Sequence, residues 1–489
     1  MSNPKKEVRL YLILSRRRPI RLCVNTQTPP IRFKLDYPDL VEKYGTISDE
    51  VSGAHQLGTF KEGIDYDFTP GGVTSMVYPA IKRMKEIQLI DRAQWVSLGP
   101  SGPGEVAISD EILLHNVWMN PETLALYANF KEGIWNEIHG LGKLSFKPRE
   151  YEAYVSYNWK CAQIMLQMMG DIDLFWVHDF QQLHIGNLIG PSAPAILRWH
   201  IPFNLGQVSE RLRTLILKSI EGFDAMIVST KRDLQGLIHA GYRGKAYAIY
   251  PYLDMVSWGG SGSNSQQSSS TMDNLRSRLK LGRNDIVLCV IGRMDPVKSQ
   301  DIALKAVARL RNFFHHLKLV FVGNGSFTGS SQGGIGHPKA SLWRSHLEQV
   351  TRDLKVEDMV VFAGHLSHKE LDAIYSLCDI VLVPSRIEGF NLTAVEGWLH
   401  KKPCIVSRGA GVSELIHDEV NGLTFEPSND TDLAEKIEKM LQTSEAAVSM
   451  GEIGFRTASL CSVDRTVESL NQIFEEVMKG YSVQHVPNP

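Results

Sequence analysis

The sequence lacks the features that mark secreted, membrane-bound or nucleic-acid-binding proteins. Its six cysteines are scattered without a CxxC pair, so buried free thiols in a reducing compartment fit better than disulfides or a zinc site. No apolar run approaches the length of a membrane span, and the apolar run near the N-terminus is too short for a signal peptide. With a net charge of −2, nothing argues for a nucleic-acid surface. We therefore expect a cytoplasmic protein with neither nucleic-acid nor membrane partners.

What the sequence does contain is a regular alternation of short apolar runs and segments with a helical pattern. With 489 residues, 43% hydrophobic and 22% charged, it is typical of a soluble enzyme with two to four domains. Continuous apolar strands separated by helices indicate parallel sheets covered on both faces, and two such series predict an α/β fold with two Rossmann-like domains. The expected strands are 8–14, 174–180, 194–200 and 225–230 in the first series, and 285–294, 317–325, 359–364, 380–385 and 403–408 in the second.

A stretch with almost no apolar side chains, WGGSGSNSQQSSST at 258–271, interrupts the two series. Such a composition predicts a flexible linker. Two facing open α/β domains should put the carboxyl ends of their strands toward a central cleft. Ligands bind at such edges. The predicted segments are an N-terminal domain at 1–255 with an insertion at 26–66, a linker at 256–282, a C-terminal domain at 283–462, a helix at 463–480 packing back on the N-terminal domain, and a frayed tail at 481–489.

Two pairs of residues suit a phosphorylated ligand. Gly71 and Gly72 precede a segment with a helical pattern, where glycines let backbone amides approach a ligand and the helix N-terminus adds partial positive charge. Arg293 and Lys298 follow a strand of the second series, with a proline turn between them. Two cations at a strand end suit a diphosphate leaving group, whose charge grows as its bond to a sugar breaks. The alternatives are a plain glycine turn and two surface cations paired with neighbouring acids.

Histidine and aspartate side chains follow two strands of the first series. His178 and Asp179 end one predicted strand, and His200 ends the next. Such groups can hold sugar hydroxyls or move a proton. Histidines with a purely structural role are the alternative.

The stretch SRIEGFNLTAVEG at 385–397 places two carboxylates, Glu388 and Glu396, eight positions apart. We expect a turn after Glu388 that directs the backbone amides at 390–392 toward the cleft. Because a carboxylate accepts hydrogen bonds from both hydroxyls of a diol, Glu388 suits a sugar and Glu396 suits a ribose. Alternatively, Glu396 is an exposed helix residue. The turn residues between the two acids are Gly389, Phe390, Asn391 and Leu392.

Taken together, these motifs resemble those of retaining glycosyltransferases of the GT-B fold, and more closely those of trehalose-phosphate synthases and related trehalose-forming transferases. The E-x7-E element of that superfamily is met by Glu388 and Glu396, and its cation pair by GRMDPVK at 292–298. The first-domain motifs that carry the resemblance are LSRRRPI at 14–20, GG at 71–72, YANFKEGIWNEIHG at 127–140, FWVHDF at 175–180 and WHIPF at 199–203.

The resemblance implies transfer of glucose from a nucleotide-diphosphate glucose to a sugar acceptor, with no cofactor and no essential metal. It implies that Arg293 and Lys298 hold the donor diphosphate near the Gly72 amide. Glu396 would then bind the donor ribose, while Glu388 and the following amides bind the donor glucose. The remaining implied contacts are His200 with the donor sugar, Asp179 with the acceptor, and Arg17, Tyr127 and Trp135 around an acceptor phosphate.

Departures from the family pattern lie on the acceptor side. The spacing from Tyr127 to Trp135 is one residue shorter than the family pattern, QQLH follows HDF, and the 26–66 insertion has no counterpart. We expect glucose 6-phosphate as the acceptor, because Arg17 is retained, giving trehalose 6-phosphate. Free glucose, a glyceryl phosphate, the donor base and the oligomeric state, a homo-oligomer included, stay open. A non-catalytic nucleotide-sugar sensor of the same fold is the alternative from a different class.

Overall fold

A computed structural model describes residues 18–45, 54–69, 72–258, 265–323 and 339–484. The predicted strand at 8–14, together with Arg17 and Gly71, lies outside these residues. The chain divides into two compact units. Unit 1 comprises Met1–Val228, Asp233–Ile249 and Val463–Pro489, and unit 2 comprises Ser229–Arg232 and Tyr250–Ser462.

Unit 1 is built on a nine-stranded sheet in which all neighbours are parallel except β6 and β7, while β2 and β4 form a separate antiparallel pair. The order in the sheet is β11-β10-β9-β8-β1-β5-β7-β6-β3. The strands are β1 (Leu22–Thr26), β2 (Ile31–Phe33), β3 (His55–Gln56), β4 (Tyr66–Phe68), β5 (Ala93–Leu98), β6 (Glu105–Ser109), β7 (Ile112–Val117), β8 (Leu174–His178), β9 (Ala195–Arg198), β10 (Ala225–Val228) and β11 (Lys245–Ala248).

The central strands of this sheet are buried along their whole length, as continuous apolar runs in a sheet covered on both faces require. Strands β8 and β9 pair in parallel with His178 opposite Arg198. The residues that follow each strand, from Asp179 and from Trp199 onward, therefore emerge at the same edge of the sheet. The predicted strands at 174–180, 194–200 and 225–230 are confirmed.

Helices of unit 1 connect these strands, and several begin at recognisable caps. The Asn120 side chain accepts a hydrogen bond from the Thr123 amide at 2.8 Å, and Pro121 occupies the first turn, where its missing N–H costs nothing. Pro79 lies inside its helix, which runs through it without a break. The helices are α1 (Tyr37–Tyr44), α2 (Gly72–Glu86), α3 (Pro121–Ile138), α4 (Pro148–Gln167), α5 (Ile185–Ile189), α6 (Glu210–Ile220) and α7 (Lys231–His239).

Unit 2 contains a six-stranded, fully parallel sheet with the order β14-β13-β12-β15-β16-β17. This is the order of a dinucleotide-binding Rossmann sheet, in which the chain reverses direction between the first and fourth strands. The strands are β12 (Ile286–Ile291), β13 (Leu317–Val322), β14 (Val360–Gly364), β15 (Ile380–Val383), β16 (Cys404–Ser407) and β17 (Leu423–Phe425). The predicted strands of the second series are confirmed.

Helices cover both faces of the unit 2 sheet and form two apolar clusters. Alternate residues of one strand enter opposite clusters, as Leu288 and Cys289 do, because successive strand side chains point to opposite faces. The helices are α8 (Met255–Trp258), α9 (Ser265–Arg278), α10 (Gln300–Leu310), α11 (Lys339–Asp353), α12 (His368–Leu377), α13 (Thr393–Leu399), α14 (Asp430–Gln442) and α15 (Ser444–Ala458).

In the segment predicted as a flexible linker, 256–282, the described residues 256–258 and 265–278 are helical and belong to unit 2. Leu275 and Leu279 are buried in one of the apolar clusters, and Arg278 forms an ion pair with Glu370 of α12 at 2.6 Å. The prediction rested on the serine-rich residues 258–271, whereas the residues that anchor the helix follow them.

The last helix, α16 (Val463–Gln484), belongs to unit 1. Phe474 packs against Trp176 of β8 with ring centroids 5.9 Å apart, and Asp464 pairs with Arg83 of α2 at 2.6 Å. The helix extends beyond its predicted end at 480. Among the described helices, none is both long and apolar enough to cross a membrane.

Candidate functional site

Three loops of unit 2 follow the carboxyl ends of adjacent strands. They are residues 292–298 after β12, 385–392 after β15 and 408–412 after β16. Because β12 and β15 are neighbours at the point where the strand order reverses, the first two loops flank the position where open α/β sheets bind ligands. All of the predicted unit 2 site residues except Glu396 lie in these loops.

Backbone hydrogen bonds join the three loops into one frame. The Arg386 amide donates to the Val297 carbonyl at 2.9 Å, and the Glu388 amide donates to the Gly409 carbonyl at 3.1 Å. In return, the Gly411 amide donates to the Glu388 carbonyl at 3.1 Å. The position of Glu388 is therefore set by both neighbouring loops.

Two glycines make this close approach feasible. A Cβ atom on Gly409 would lie 1.9 Å from the Arg386 carbonyl oxygen, and one on Gly411 would lie 2.0 Å from the Gly389 carbonyl oxygen. Both distances are far below contact distance and involve backbone atoms, which cannot turn aside. These two positions therefore require glycine for the loops to pair.

The Glu388 carboxylate is held by three side chains. Lys298 Nζ donates to Oε1, while Ser385 Oγ and Asn391 Nδ2 donate to Oε2 at 2.8 and 2.9 Å. The Lys298 and Glu388 side chains are only 15% and 22% exposed. Burial raises the pKa of Glu388, but the charge and hydrogen bond of Lys298 and the two neutral donors outweigh it, so that the pKa lies below its usual value. Glu388 is therefore ionised at neutral pH.

Asn391 adopts a backbone conformation that is uncommon for a residue with a side chain, with φ of +91°. Its side chain bonds on both sides: the amide nitrogen donates to Glu388, and Oδ1 accepts from the Thr393 amide at 2.9 Å at the start of α13. The Thr393 hydroxyl in turn donates to the Ile291 carbonyl at the end of β12, at 3.2 Å. Asn391 thus links the acidic turn to the following helix.

Arg293 and Lys298 lie in the same loop, and the loop is internally braced. Asp295 Oδ1 accepts from the Val297 amide at 3.0 Å, and Gln300 Nε2 donates to the Arg293 carbonyl at 2.8 Å. The Arg293 side chain is exposed, whereas Lys298 lies against Gly292, where an added Cβ would be 3.9 Å from Nζ. The loop therefore carries one exposed and one largely buried cation.

Glu396 lies on α13 and is half-buried, so it is not simply an exposed helix residue. The Tyr375 hydroxyl donates to Glu396 Oε2. Burial raises the pKa of Glu396 to about 7, against the hydrogen bond from Tyr375 and the charge of Lys298. Lys298 thus influences both carboxylates of the E-x7-E element.

A second cluster lies in unit 1 at the ends of β8 and β9. His178 Nδ1 and His200 Nε2 are 3.0 Å apart, and the two rings stack with an angle of 12° between their planes. The His200 amide donates to Asp179 Oδ1 at 3.2 Å. The sequence-predicted His178, Asp179 and His200 are therefore brought together.

Burial determines the charges in this cluster. It lowers the pKa of both His178 and His200 well below the usual value, with the charge of Arg198 acting in the same direction. Burial raises the pKa of Asp179 to about 7, although backbone amides donate to its carboxylate. Two neutral imidazoles can share a hydrogen bond, as the short His178–His200 distance requires.

Comparison with known proteins identifies the fold family of this architecture. Residues 271–457 match the family described as "Glycosyl transferases group 1", and residues 104–235 match "Trehalose synthase, N-terminal domain". The chain has a GT-B glycosyltransferase fold. The first match covers most of unit 2, with the frame around Glu388. The second lies in unit 1 apart from residues 229–232, and it includes His178, Asp179 and His200.

Solved GT-B structures superpose on nearly the whole chain. The α,α-trehalose-phosphate synthase (UDP-forming) from Burkholderia vietnamiensis is 14% identical with a TM-score of 0.71, covering 95% of this chain and 99% of that one. The Anabaena protein HepE in complex with UDP and glucose is 16% identical with a TM-score of 0.64, covering 94% of this chain and 100% of that one. At such identities, these likenesses show the fold.

One curated relative is the D-inositol 3-phosphate glycosyltransferase of Mycolicibacterium smegmatis. It is 25% identical over 272 residues, which are 55% of this chain and 56% of that protein. The chain thus spans about half the length of this relative.

The remaining predicted residues of this GT-B chain differ in their surroundings. Gly72 starts α2 with φ of +70°, and an added Cβ there would meet nothing within 4 Å. Trp135 is half-buried and stacks on His139 at 3.8 Å, with its ring 6.3 Å from that of Phe180. Among the described residues, no three His, Cys, Asp or Glu side chains cluster as a metal site would, and metal independence stays a prediction.

Tyr127 does not fit the direct acceptor contact that the resemblance implies. Its side chain is fully buried, 4.6 Å from the Tyr157 ring and 6.2 Å from the Tyr154 ring between centroids. Burial raises the pKa of Tyr127 well above its usual value. Tyr127 lies in the packing between α3 and α4.

The sequence reasoning missed Ser385 and Tyr375, which hold the two glutamates. Ser385 lies three residues before Glu388 in the quoted motif, so the spacing could have indicated it. Tyr375 is 21 residues before Glu396 on another helix, and no local pattern links them.

Replacing Asn391 by glycine removes both of its side-chain hydrogen bonds but keeps its backbone conformation accessible. Glycine tolerates the positive φ, so we expect the free energy of unfolding to change by less than about 1 kcal/mol. Loss of the amide donor should raise the pKa of Glu388 and lower kcat by about tenfold, the effect of one hydrogen bond to a charged group. Denaturant unfolding and initial rates measure both. Asn391→Asp, which puts a second carboxylate beside Glu388, should lose more activity. Equal kcat in wild type and N391G would contradict a role of the Asn391 amide in supporting Glu388.

Proposed function

We propose that the protein is a retaining glucosyltransferase that moves glucose from a nucleotide-diphosphate glucose to a sugar or sugar-phosphate acceptor. Glucose 6-phosphate is the first-choice acceptor, which would give trehalose 6-phosphate. The observation that carries the proposal is the buried ion pair of Lys298 and Glu388 at the strand-order reversal of unit 2, next to Glu396. The match of residues 104–235 to the N-terminal domain of trehalose synthase supports the acceptor class.

In this proposal the donor is bound by unit 2. Arg293 and Lys298 attract the diphosphate, and their loop is braced so that little reorganisation is needed when charge develops. Glu388 accepts hydrogen bonds from hydroxyls of the glucose, for which its low pKa keeps it ionised. Glu396 accepts from the ribose hydroxyls.

The chemical step needs no covalent group from the protein. The bond between glucose C1 and the diphosphate oxygen lengthens first, leaving positive charge on the sugar and negative charge on the leaving oxygen. Lys298 and Arg293 stabilise that negative charge, which is larger in the transition state than in the bound donor. The acceptor hydroxyl attacks C1 on the face that the diphosphate leaves, and its proton passes to the leaving oxygen. The anomeric configuration is retained.

Unit 1 is proposed to bind sugar hydroxyls, with Asp179 contacting the acceptor and His200 the donor sugar. His178 and His200 are neutral and Asp179 has a pKa of about 7, so the cluster can both donate and accept hydrogen bonds to uncharged hydroxyls. Trp135, whose ring lies near Phe180, offers an apolar surface of the kind on which sugar rings pack. We expect Arg17 to supply a cation for an acceptor phosphate.

A donor-by-acceptor panel tests the proposal. UDP-, ADP- and GDP-glucose would each be offered to glucose 6-phosphate, glucose, glycerol phosphates and inositol 3-phosphate, with released nucleotide diphosphate and glycoside both detected. Inositol phosphate is included because of the name of the relative described above. The proposal expects nucleotide release that depends on an acceptor. A sensor would bind a donor without turnover, which calorimetry would reveal, and that result would reject the transferase.

The pH dependence of donor binding follows from Glu396. Its pKa of about 7 means that the carboxylate is protonated below neutral pH and cannot accept both ribose hydroxyls. We expect the KM for the donor to be constant above about pH 8 and to rise toward tenfold per pH unit well below pH 7. In Glu396→Gln the rise should disappear, which separates Glu396 from Asp179. A rise that persists in E396Q would assign the titration to another group.

A further inference from the structure

Tyr375 of α12 forms a buried connection to Glu396 of α13. The side chain is 0% exposed, and its only polar atom, the hydroxyl, donates to Glu396 Oε2. Burial and the neighbouring carboxylate raise the pKa of Tyr375 well above its usual value, so it is a permanent donor. The bond therefore fixes one oxygen, and with it the plane, of the Glu396 carboxylate.

His400, directly after α13, holds the tyrosine ring from the other side. Its imidazole stacks on Tyr375 with centroids 5.0 Å apart and an angle of 20° between the planes. His400 Nδ1 lies 2.9 Å from the Glu396 carbonyl oxygen, and Nε2 lies 3.2 Å from Asp372 Oδ1. The ring is thus anchored to both helices, and Tyr375 has little freedom to leave Glu396.

We propose that Tyr375, held by His400, is a positioning residue that presents Glu396 to the ribose of the nucleotide. A free glutamate side chain on a helix samples several rotamers, and ordering it on binding weakens affinity. Tyr375 performs that ordering in advance. The inference rests on the proposed function only for the assignment of Glu396 to the ribose.

The test compares ligands that differ by a single ribose hydroxyl. Binding of UDP, ADP and GDP, each with its 2′-deoxy counterpart, would be measured by calorimetry, and the tightest pair used thereafter. Wild type should prefer the ribonucleotide by about tenfold, the effect of one hydrogen bond to a charged group. Tyr375→Phe, which removes only the hydroxyl, should reduce this preference to about twofold or less. If Tyr375 had a purely structural role, Y375F would bind both nucleotides more weakly by the same factor. The ratio of the two affinities would then stay unchanged.

Three variants make the result decisive. Tyr242→Phe is the matched control, because the buried Tyr242 hydroxyl in unit 1 has no hydrogen-bond partner within the described part of the chain; it should keep the wild-type preference. Glu396→Gln defines the preference that remains without the carboxylate. His400→Gln loses the stacked ring but keeps the Tyr375 hydroxyl, and its preference should fall between those of wild type and E396Q. That result supports the inference even if Y375F does not fold.

Opposite results overturn the inference without deciding the proposed function. A wild-type preference that survives in Y375F and H400Q would show that Tyr375 does not position the carboxylate, and equal wild-type affinities would show that Glu396 does not bind the ribose. Either result is compatible with glucosyl transfer in the panel. Conversely, a preference that is lost in Y375F, together with no turnover, would reject the transferase and keep the positioning role.

Discussion

Lys298→Ala is expected to lower kcat for the proposed glucosyl transfer by about 10³-fold, the upper end of the effect of removing one group that stabilises charge in the transition state. The same change removes the cation that outweighs burial at Glu388. The pKa of Glu388 should then rise, and the free energy of unfolding should fall by about 1–3 kcal/mol, because a largely buried carboxylate loses one of its three partners. Single-turnover rates and denaturant unfolding measure the two effects.

Two variants separate charge from stability. Lys298→Met with Glu388→Gln removes both charges at similar volume, so the folded state should regain most of its stability while transfer stays slow. Arg293→Ala, on the exposed part of the loop, should slow transfer with a smaller effect on unfolding than K298A. Turnover of the K298A enzyme at the wild-type rate would exclude Lys298 from stabilising the leaving group.

Gly411→Ala is expected to damage both stability and activity although it changes no side chain that could touch a ligand. The added Cβ would lie 2.0 Å from the Gly389 carbonyl oxygen, so one of the paired loops must move. Such a backbone shift should cost about 3 kcal/mol in the free energy of unfolding. Because Glu388 is carried by the displaced loop, kcat/KM for the donor should fall by about 10²-fold.

A glycine in open surroundings provides the control. Gly170 would accept a Cβ with nothing within 4 Å, so Gly170→Ala should leave unfolding and turnover unchanged. If G411A were as stable and active as G170A, the pairing of the loops after β15 and β16 would not be what holds Glu388.

The sheets could be predicted from the sequence because their strands are continuous apolar runs. Such a run indicates a buried strand whichever elements pack against it. The site residues could be proposed for a related reason: in a parallel sheet, whatever follows a strand lies at the carboxyl edge. Lys298 and Glu388 were found in this way, although their direct pairing was not foreseen. The pairing depends on β12 and β15 being neighbours, which is a property of strand order and not of either motif.

Other features are decided by tertiary contacts with no local signal. In the sequence, Tyr375 has the spacing of one more apolar position of a helix. Only the packing of α12 on α13 gives its hydroxyl a hydrogen-bond partner. Tyr127 shows the reverse, because its motif suggested a ligand contact while the neighbouring helix buries it. In the predicted linker, composition was read over 258–271, and the leucines that anchor α9 come just afterwards.

The two ends of the long segment of unit 2 come together near Leu253 and Ser462. The Leu253 amide donates to the Cys461 carbonyl at 2.9 Å, and Leu253 and Ser462 form a parallel bridge. A segment whose two ends meet can be excised or exchanged as a cassette, because joining its ends to another protein requires no long connection. Residues 250–462, the larger segment of unit 2, are therefore a natural segment to exchange between proteins of this fold.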